Sequence, residues 1–190
     1  GVCGGDAVID ECGECDGYGS SCSEILLSFG ALTSNTVEIL YTSSGDISGY
    51  QIDVSGLNIT GGSTNAAGWE FHFSEFDDTV MGFHFDGDNL PAGSGVLVTL
   101  DYDLITAESS SLSLGTDGLG TVDGAITDSY GNPYASVNFG DDLVHGPADC
   151  LGIFGGDAVF DECGVCDGNG IADGECNCEG LLPDCAGICY

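Results

Sequence analysis

Not one lysine or arginine occurs in this 190-residue chain, although it carries 32 aspartates and glutamates and three histidines. With roughly a quarter of residues normally charged, about twenty basic side chains would be ordinary at this length. No Lys–Glu or Arg–Asp pair can form, so each carboxylate must be solvated, screened, protonated or neutralised by metal. Self-repulsion at a formal charge of −32 opposes compaction and favours a cation-rich medium. DNA, RNA and anionic membrane are correspondingly poor partners. Calcium, which takes carboxylate and carbonyl oxygens, is the counter-charge this composition suggests.

The cysteines are confined to the two ends: Cys3, Cys12, Cys15 and Cys22, then Cys150, Cys163, Cys166, Cys176, Cys178, Cys185 and Cys189. That density points to disulfides in an oxidising, extracellular setting. An odd number leaves one thiol unpaired, or one bridge made between chains. Zinc is disfavoured because the neighbours of the cysteines are Asp and Gly rather than basic residues or His. Neither C-x-x-C is followed by His, which argues against haem. No run approaches 18 apolar residues, so no membrane span is expected. The absence of an initiator Met suggests a mature, processed or excerpted chain.

Residues 4–19 read GGDAVIDECGECDGYG and residues 155–170 read GGDAVFDECGVCDGNG; displaced by 151 positions, 13 of 16 coincide. Two such copies bracket an unrelated middle, which divides the chain into 1–23, 24–147 and 148–190. The ends are too small and polar to fold on a core, so disulfides and bound ions are expected to hold them. Residues 167–174, DGNGIADG, follow calcium-loop grammar, with oxygen ligands at Asp167, Asn169 and Asp173 and glycines at the bends. The terminal bidentate Glu of a full EF-hand is missing, because the twelfth position is Cys178. Asp16 is the first-copy counterpart of Asp167. Asp6, Asp10 and Glu11, mirrored by Asp157, Asp161 and Glu162, either complete these sites or are simply solvated.

The middle has another texture. Short β-branched and aromatic runs alternate with Gly, Ser, Asn and Asp turns, which predicts strands near 25–29, 36–42, 50–55, 69–73, 80–85, 96–102, 111–114 and 135–139. Period two places Trp69, Phe71 and Phe73 inward with Glu70 and His72 outward, and sets Phe83 and Phe85 around an outward His84. The expected core includes Trp69, Phe71, Phe83, Phe85, Leu97 and Leu100. No helical stripe is present. The fold class expected is all-β: a jelly-roll type or Ig-like β-sandwich with loop-rich, disulfide- and calcium-stabilised ends.

The segments GYQIDVSGLNITGGS, TVMGFHF and LPAGSGVLVTLDYDL resemble the cohesin-like sandwiches of bacterial secreted and surface proteins, over about residues 25–143. Cohesins bind calcium-loaded dockerins, so the resemblance implies a binding module; no single residue here carries that specificity over. The acidic, Cys-rich ends, DECGVCDG and DGNGIADG, resemble tandem modules of large bacterial extracellular proteins. They are also similar to thrombospondin type 3 repeats, which are strings of calcium loops.

Catalysis is not expected. With 32 acids, close carboxylate pairs arise by chance, and no Ser-His-Asp order, G-x-S-x-G, P-loop or H-E-x-x-H occurs. His72, His84 and His145 could form a metal site if His72 and His84 sit on neighbouring strands, but two outward histidines on a sheet face are more often plain surface. Asn58 opens the N-x-[ST] sequon Asn58-Ile59-Thr60, read here as a surface turn open to N-glycosylation.

Two functions remain. One is a structural subunit of an extracellular filament, polymerising head to tail through its calcium-binding ends. Residues 184–189 align with 149–154, the lead-in to the second GGDAV, so the tail runs on into the head, with Cys3 and Cys189 as candidate junction cysteines. The other is a cohesin-like adhesion module that recognises a dockerin or a glycan.

Overall fold

The structure, a computed structural model, describes residues 7–10, 12–15, 22–74, 78–85, 88–115 and 124–189. Two compact units divide the chain, Gly1–Val144 and His145–Tyr190.

Within the first unit the strands are β1 (Glu24–Leu32), β2 (Thr36–Ser43), β3 (Gly49–Ser55), β4 (Leu57–Thr64), β5 (Glu70–Phe73), β6 (Thr79–Phe83), β7 (Gly93–Ile105), β8 (Ser109–Leu114), β9 (Ile126–Thr127), β10 (Ser136–Phe139) and β11 (Leu143–Val144). One sheet runs β10-β1-β2-β7-β4 and the other β11-β8-β3-β6-β5, with β9 pairing β3. The β1–β10 pair is parallel. No α-helix occurs among the described residues.

Period-two patterning builds the core. Ile25, Leu27, Val37, Ile39 and Leu100 of the first sheet meet Ile52, Val54 and Val80 of the second in one cluster, each essentially fully buried. The two inner faces packed in this way define a β-sandwich. A bulge sharpens the packing of β7: Leu40 pairs with Val96 and Ile39 with Val98, so Leu97 has no partner across the ladder. The extra residue lets consecutive Leu97 and Val98 both bury, which strict alternation forbids.

Polar tips of core aromatics tie down the loops. The Tyr41 hydroxyl donates to the Pro91 carbonyl (3.3 Å) and Tyr102 to Thr33 (2.6 Å). Tyr134 donates to Asp46 (3.1 Å), and the Trp69 indole N–H to Asp88 (2.9 Å). Tyr50 is the exception: it is 2 % exposed and its hydroxyl has no hydrogen-bond partner among the described residues. Burial drives its pKa far above the tyrosine range.

Two expectations need correction. The sequon Asn58-Ile59-Thr60, read as a turn, lies within strand β4, so Asn58 is exposed on an edge strand with its amide donating to the Asp103 carboxylate at 2.7 Å. The β6 face is inverted at its end: Val80 and Gly82 point inward, so Phe83 is half-buried on the outer face and Phe85 is 80 % exposed. Gly82 points inward because the Tyr50 ring occupies the space its Cβ would take, 2.5 Å away. Phe83 and Phe85 therefore leave the core, whereas Trp69, Leu97 and Leu100 belong to it as expected.

Core truncation and hydroxyl removal should act in opposite senses. Leu97→Ala is expected to cost about 2–5 kcal/mol in urea unfolding. Tyr50→Phe deletes a buried, unpaired polar group whose desolvation costs about 1–3 kcal/mol, so it should leave the midpoint unchanged or raise it. A Tyr50→Phe protein that melts well below the parent would show that the hydroxyl has a partner.

Candidate functional site

The acidic ends and the outer face of the second sheet are the two regions in which binding chemistry is concentrated. The acidic ends are built from one recurring turn. Asp161 Oδ1 accepts the N–H of Cys163 (2.9 Å) and of Val165 (2.8 Å), and Oδ2 accepts that of Gly170 (2.8 Å). Gly164, three residues on, takes φ +75°, a conformation suited to glycine. Asp149 repeats the arrangement, with Leu151 and Ile153 (both 2.9 Å) on Oδ1 and Ala158 (3.2 Å) on Oδ2. Gly156 and Gly168 each lie seven residues after their Asp, where a Cβ would collide with the Asp149 or Asp161 carboxylate.

The same [DN]-x-x-G turn recurs at Asp10 (to Cys12 and Glu14), Asn177 (to Glu179 and Leu181) and Asp184 (to Ala186 and Ile188). It also appears inside the sandwich unit at Asp128, which receives the N–H of Tyr130 and Asn132. The signal was present in the sequence as an Asp or Asn three residues before a Gly. Of these turn residues, Asp10 and Asp161 are also expected calcium ligands.

Of the proposed metal ligands, Asp6, Glu11 and Asp16 lie outside the described residues. Asp10 and Asp161 turn their oxygens onto backbone N–H groups, and Glu162 accepts from the Ile171 N–H at 3.1 Å. Asp157, Asp167, Asn169 and Asp173 are exposed. No group of three or more His, Cys, Asp or Glu is drawn together for a metal among the described residues. The histidines do not converge either: His72 is exposed on β5, whereas His84 Nδ1 accepts the Asp88 N–H at 3.2 Å.

No residue of 145–189 is buried, and Leu151, Val159, Phe160 and Leu182 are exposed. Covalent bonds replace the core. Cys150–Cys166, Cys163–Cys178 and Cys176–Cys189 form a staggered series, each bridge opening before the previous one closes. Cys12 pairs with Cys22, and Cys15 is bonded to a partner outside the described residues, where Cys3 also lies. Cys185, grouped with the disulfide cysteines, has no bridge within the chain and is an exposed free thiol, as the odd count allows for one cysteine. One expectation falls here. Cys189, the candidate junction cysteine, is taken within its own chain by Cys176.

The outer face of the second sheet carries the other concentration of chemistry. Cross-strand pairing lines up Gly49, Phe83 and Glu70 in one row and Gln51, Met81 and His72 in the next. The His72 ring stacks on Phe83 (5.7 Å, 10°), and Phe85 meets Phe83 edge-on (5.0 Å, 90°). Beside them lies a shallow groove of about 260 Å³ bounded by Gln51, Met81, Phe83, Ala125 and Thr127. It exists because Gly49, between Phe83 and Thr127 in the ladder, has no side chain to fill it.

No protein-family model and no curated protein matches the chain. Two of the solved structures that resemble it remotely are as follows. One is a chain of a CaDoc0917–CaCohA2 complex crystallised at pH 5.5, at 14 % identity and TM-score 0.40, covering 63 % of this chain and 98 % of that one. The other is a non-cellulosomal cohesin from the hyperthermophilic archaeon Archaeoglobus fulgidus, at 12 % identity and TM-score 0.43, covering 64 % and 90 %. The sandwich assignment stands on the sheets and core described above.

Backbone N–H groups hold two carboxylates below their ordinary range, Ile153 chiefly for Asp149, and Val165 then Gly170 for Asp161. A depressed folded pKa adds stability above the unfolded value and loses it as pH falls through the folded one. Amide protection at Val165 and Gly170 should therefore persist at mildly acidic pH and vanish only below the ordinary value of 3.8. Asp161→Asn should keep the Cys163 and Val165 amides protected, as Asn177 does for its own turn, and free only Gly170; Asp161→Ala should free all three. Hydrogen exchange reads each outcome. Reduction should unfold residues 145–189, whereas EDTA should leave their exchange unchanged. Loss of protection on chelation alone would restore calcium as their support.

Proposed function

We propose that this chain is a non-catalytic extracellular binding module of cohesin-like architecture. Its sandwich docks a protein partner on the outer face of β3, β6 and β5, and residues 145–189 act as a stiff covalent connector. The observation that carries the reading is Phe85. An aromatic ring 80 % exposed, set edge-on to a half-buried Phe83, fits an unfilled contact anchor better than a core residue, and aromatic side chains are enriched at interface centres. A glycan is the alternative ligand for the same face. The exposed Asn58 sequon fits a secreted protein that carries N-glycan on the opposite sheet.

Replacing Phe85 by a photo-crosslinking benzoyl-phenylalanine tests this on native surface material. One discrete protein adduct is expected. Irradiation that yields no adduct, while the same face binds oligosaccharide on a glycan array, would transfer the site to sugars.

One observation favours the filament reading as a second: Cys185 is exposed and unpaired, while the other described cysteines are bridged. A thiol in that position fits a covalent joint between copies, now at Cys185 rather than Cys189. Non-reducing gels of the native material should then show a ladder that Cys185→Ser abolishes. A ladder unaffected by that change would remove the joint from this residue.

A further inference from the structure

We propose that the Phe83–Phe85 notch takes the guanidinium or ammonium group of a basic partner protein, a reading that rests on the binding face described above. Phe83 presents its ring between the stacked His72 and the gap at Gly49, and Phe85 adds a second, almost fully exposed ring at right angles. Glu70 lies directly across the ladder from Phe83 and is exposed. Aromatic faces carry negative charge density, so a cation resting against them within reach of a carboxylate gains from both.

Charge decides between occupants. This chain contains no Lys or Arg and cannot fill the notch from its own sequence. A second copy, also at −32, is repelled, as is any acidic ligand. A basic partner is drawn in by the whole field, which raises the association rate and makes it sensitive to salt. The field alone is unselective, because carboxylates cover the molecule. The two rings supply the local preference, and arginine, planar and weakly hydrated, is the better fit to them. Neutral sugar stacks on aromatic rings too, but gains nothing from Glu70 or from the field.

The test is an NMR titration of the intact chain with blocked arginine amide at about 0.15 M salt, where long-range attraction between exposed charges is screened. The His72, Phe83 and Phe85 resonances should shift along one saturating curve, and blocked glutamine amide should move none of them. Phe85→Ala and Glu70→Gln should each weaken the arginine curve by about two- to fivefold. Both side chains are exposed, so neither change threatens the fold. Shifts scattered over the carboxylate surface, or an unchanged curve in both variants, overturn the proposal. So do resonances that respond equally to glucose. The binding face itself is judged separately: an adduct at position 85 whose crosslinked segment lacks Lys and Arg would keep the face and discard the cation.

Discussion

In a chain without Lys or Arg, the donors left for a carboxylate are mostly peptide N–H groups, and the structure depends on that. The carboxylates of Asp10, Asp149, Asp161 and Asp184, and that of Asp128 in the sandwich unit, each gather the amides two and four residues ahead. Asn177 does the same with a neutral oxygen. The turn is local, so it forms without a core, and it fixes where neighbouring side chains emerge. Cys12 and Cys163 stand two residues after their Asp, Cys150 one residue after Asp149, and Cys178 one residue after Asn177. The bridges are thus laid on a frame that hydrogen bonds set up. Asp10 and Asp161, two of the expected calcium ligands, serve this turn, because an Asp- and Gly-rich stretch meets the geometric needs of an ion loop and of a self-capped turn alike.

Most of the sandwich was legible because period two is a strong signal where one face buries. Strands β1, β2, β3, β7 and β10 fall close to their expected positions. What escaped notice was decided by tertiary context. Strand β4 contains Asn58 and the Gly61-Gly62 pair, residues that weigh against a strand, and its ladder with β7 is irregular at Asn58 and Ile59. Its half-buried glycines suit an edge that passes close to Phe71: a Cβ at Gly62 would stand 2.8 Å from that ring. The inverted face of Phe83 was likewise beyond sequence patterning. An apolar residue in an alternating run reads as inward unless a glycine beside it holds the inward slot for a ring from another strand, as Gly82 does for Tyr50.

The candidate sites were legible to a lesser degree. Density and location of cysteine correctly announced disulfide scaffolding, but pairing depends on how the turns fold the chain back, and C-x-x-C proved to be two half-bridges facing opposite ways. The aromatic face was visible only as a set of residues assigned to the core. Its exposure follows from the sheet register, in which Glu70 and His72 share a side with Phe83 and Met81.

The staggered bridges also set how residues 145–189 respond to tension. Between Cys150 and Cys189 every peptide bond is spanned by at least one disulfide. The shortest covalent route crosses three bridges, with Cα–Cα spans of 5.6, 5.4 and 5.4 Å, and only five peptide steps. Pulled taut, that route reaches roughly 35 Å, against roughly 130 Å for the same residues without bridges. Such a tether passes force on while lengthening very little, and a single break in its backbone does not part it.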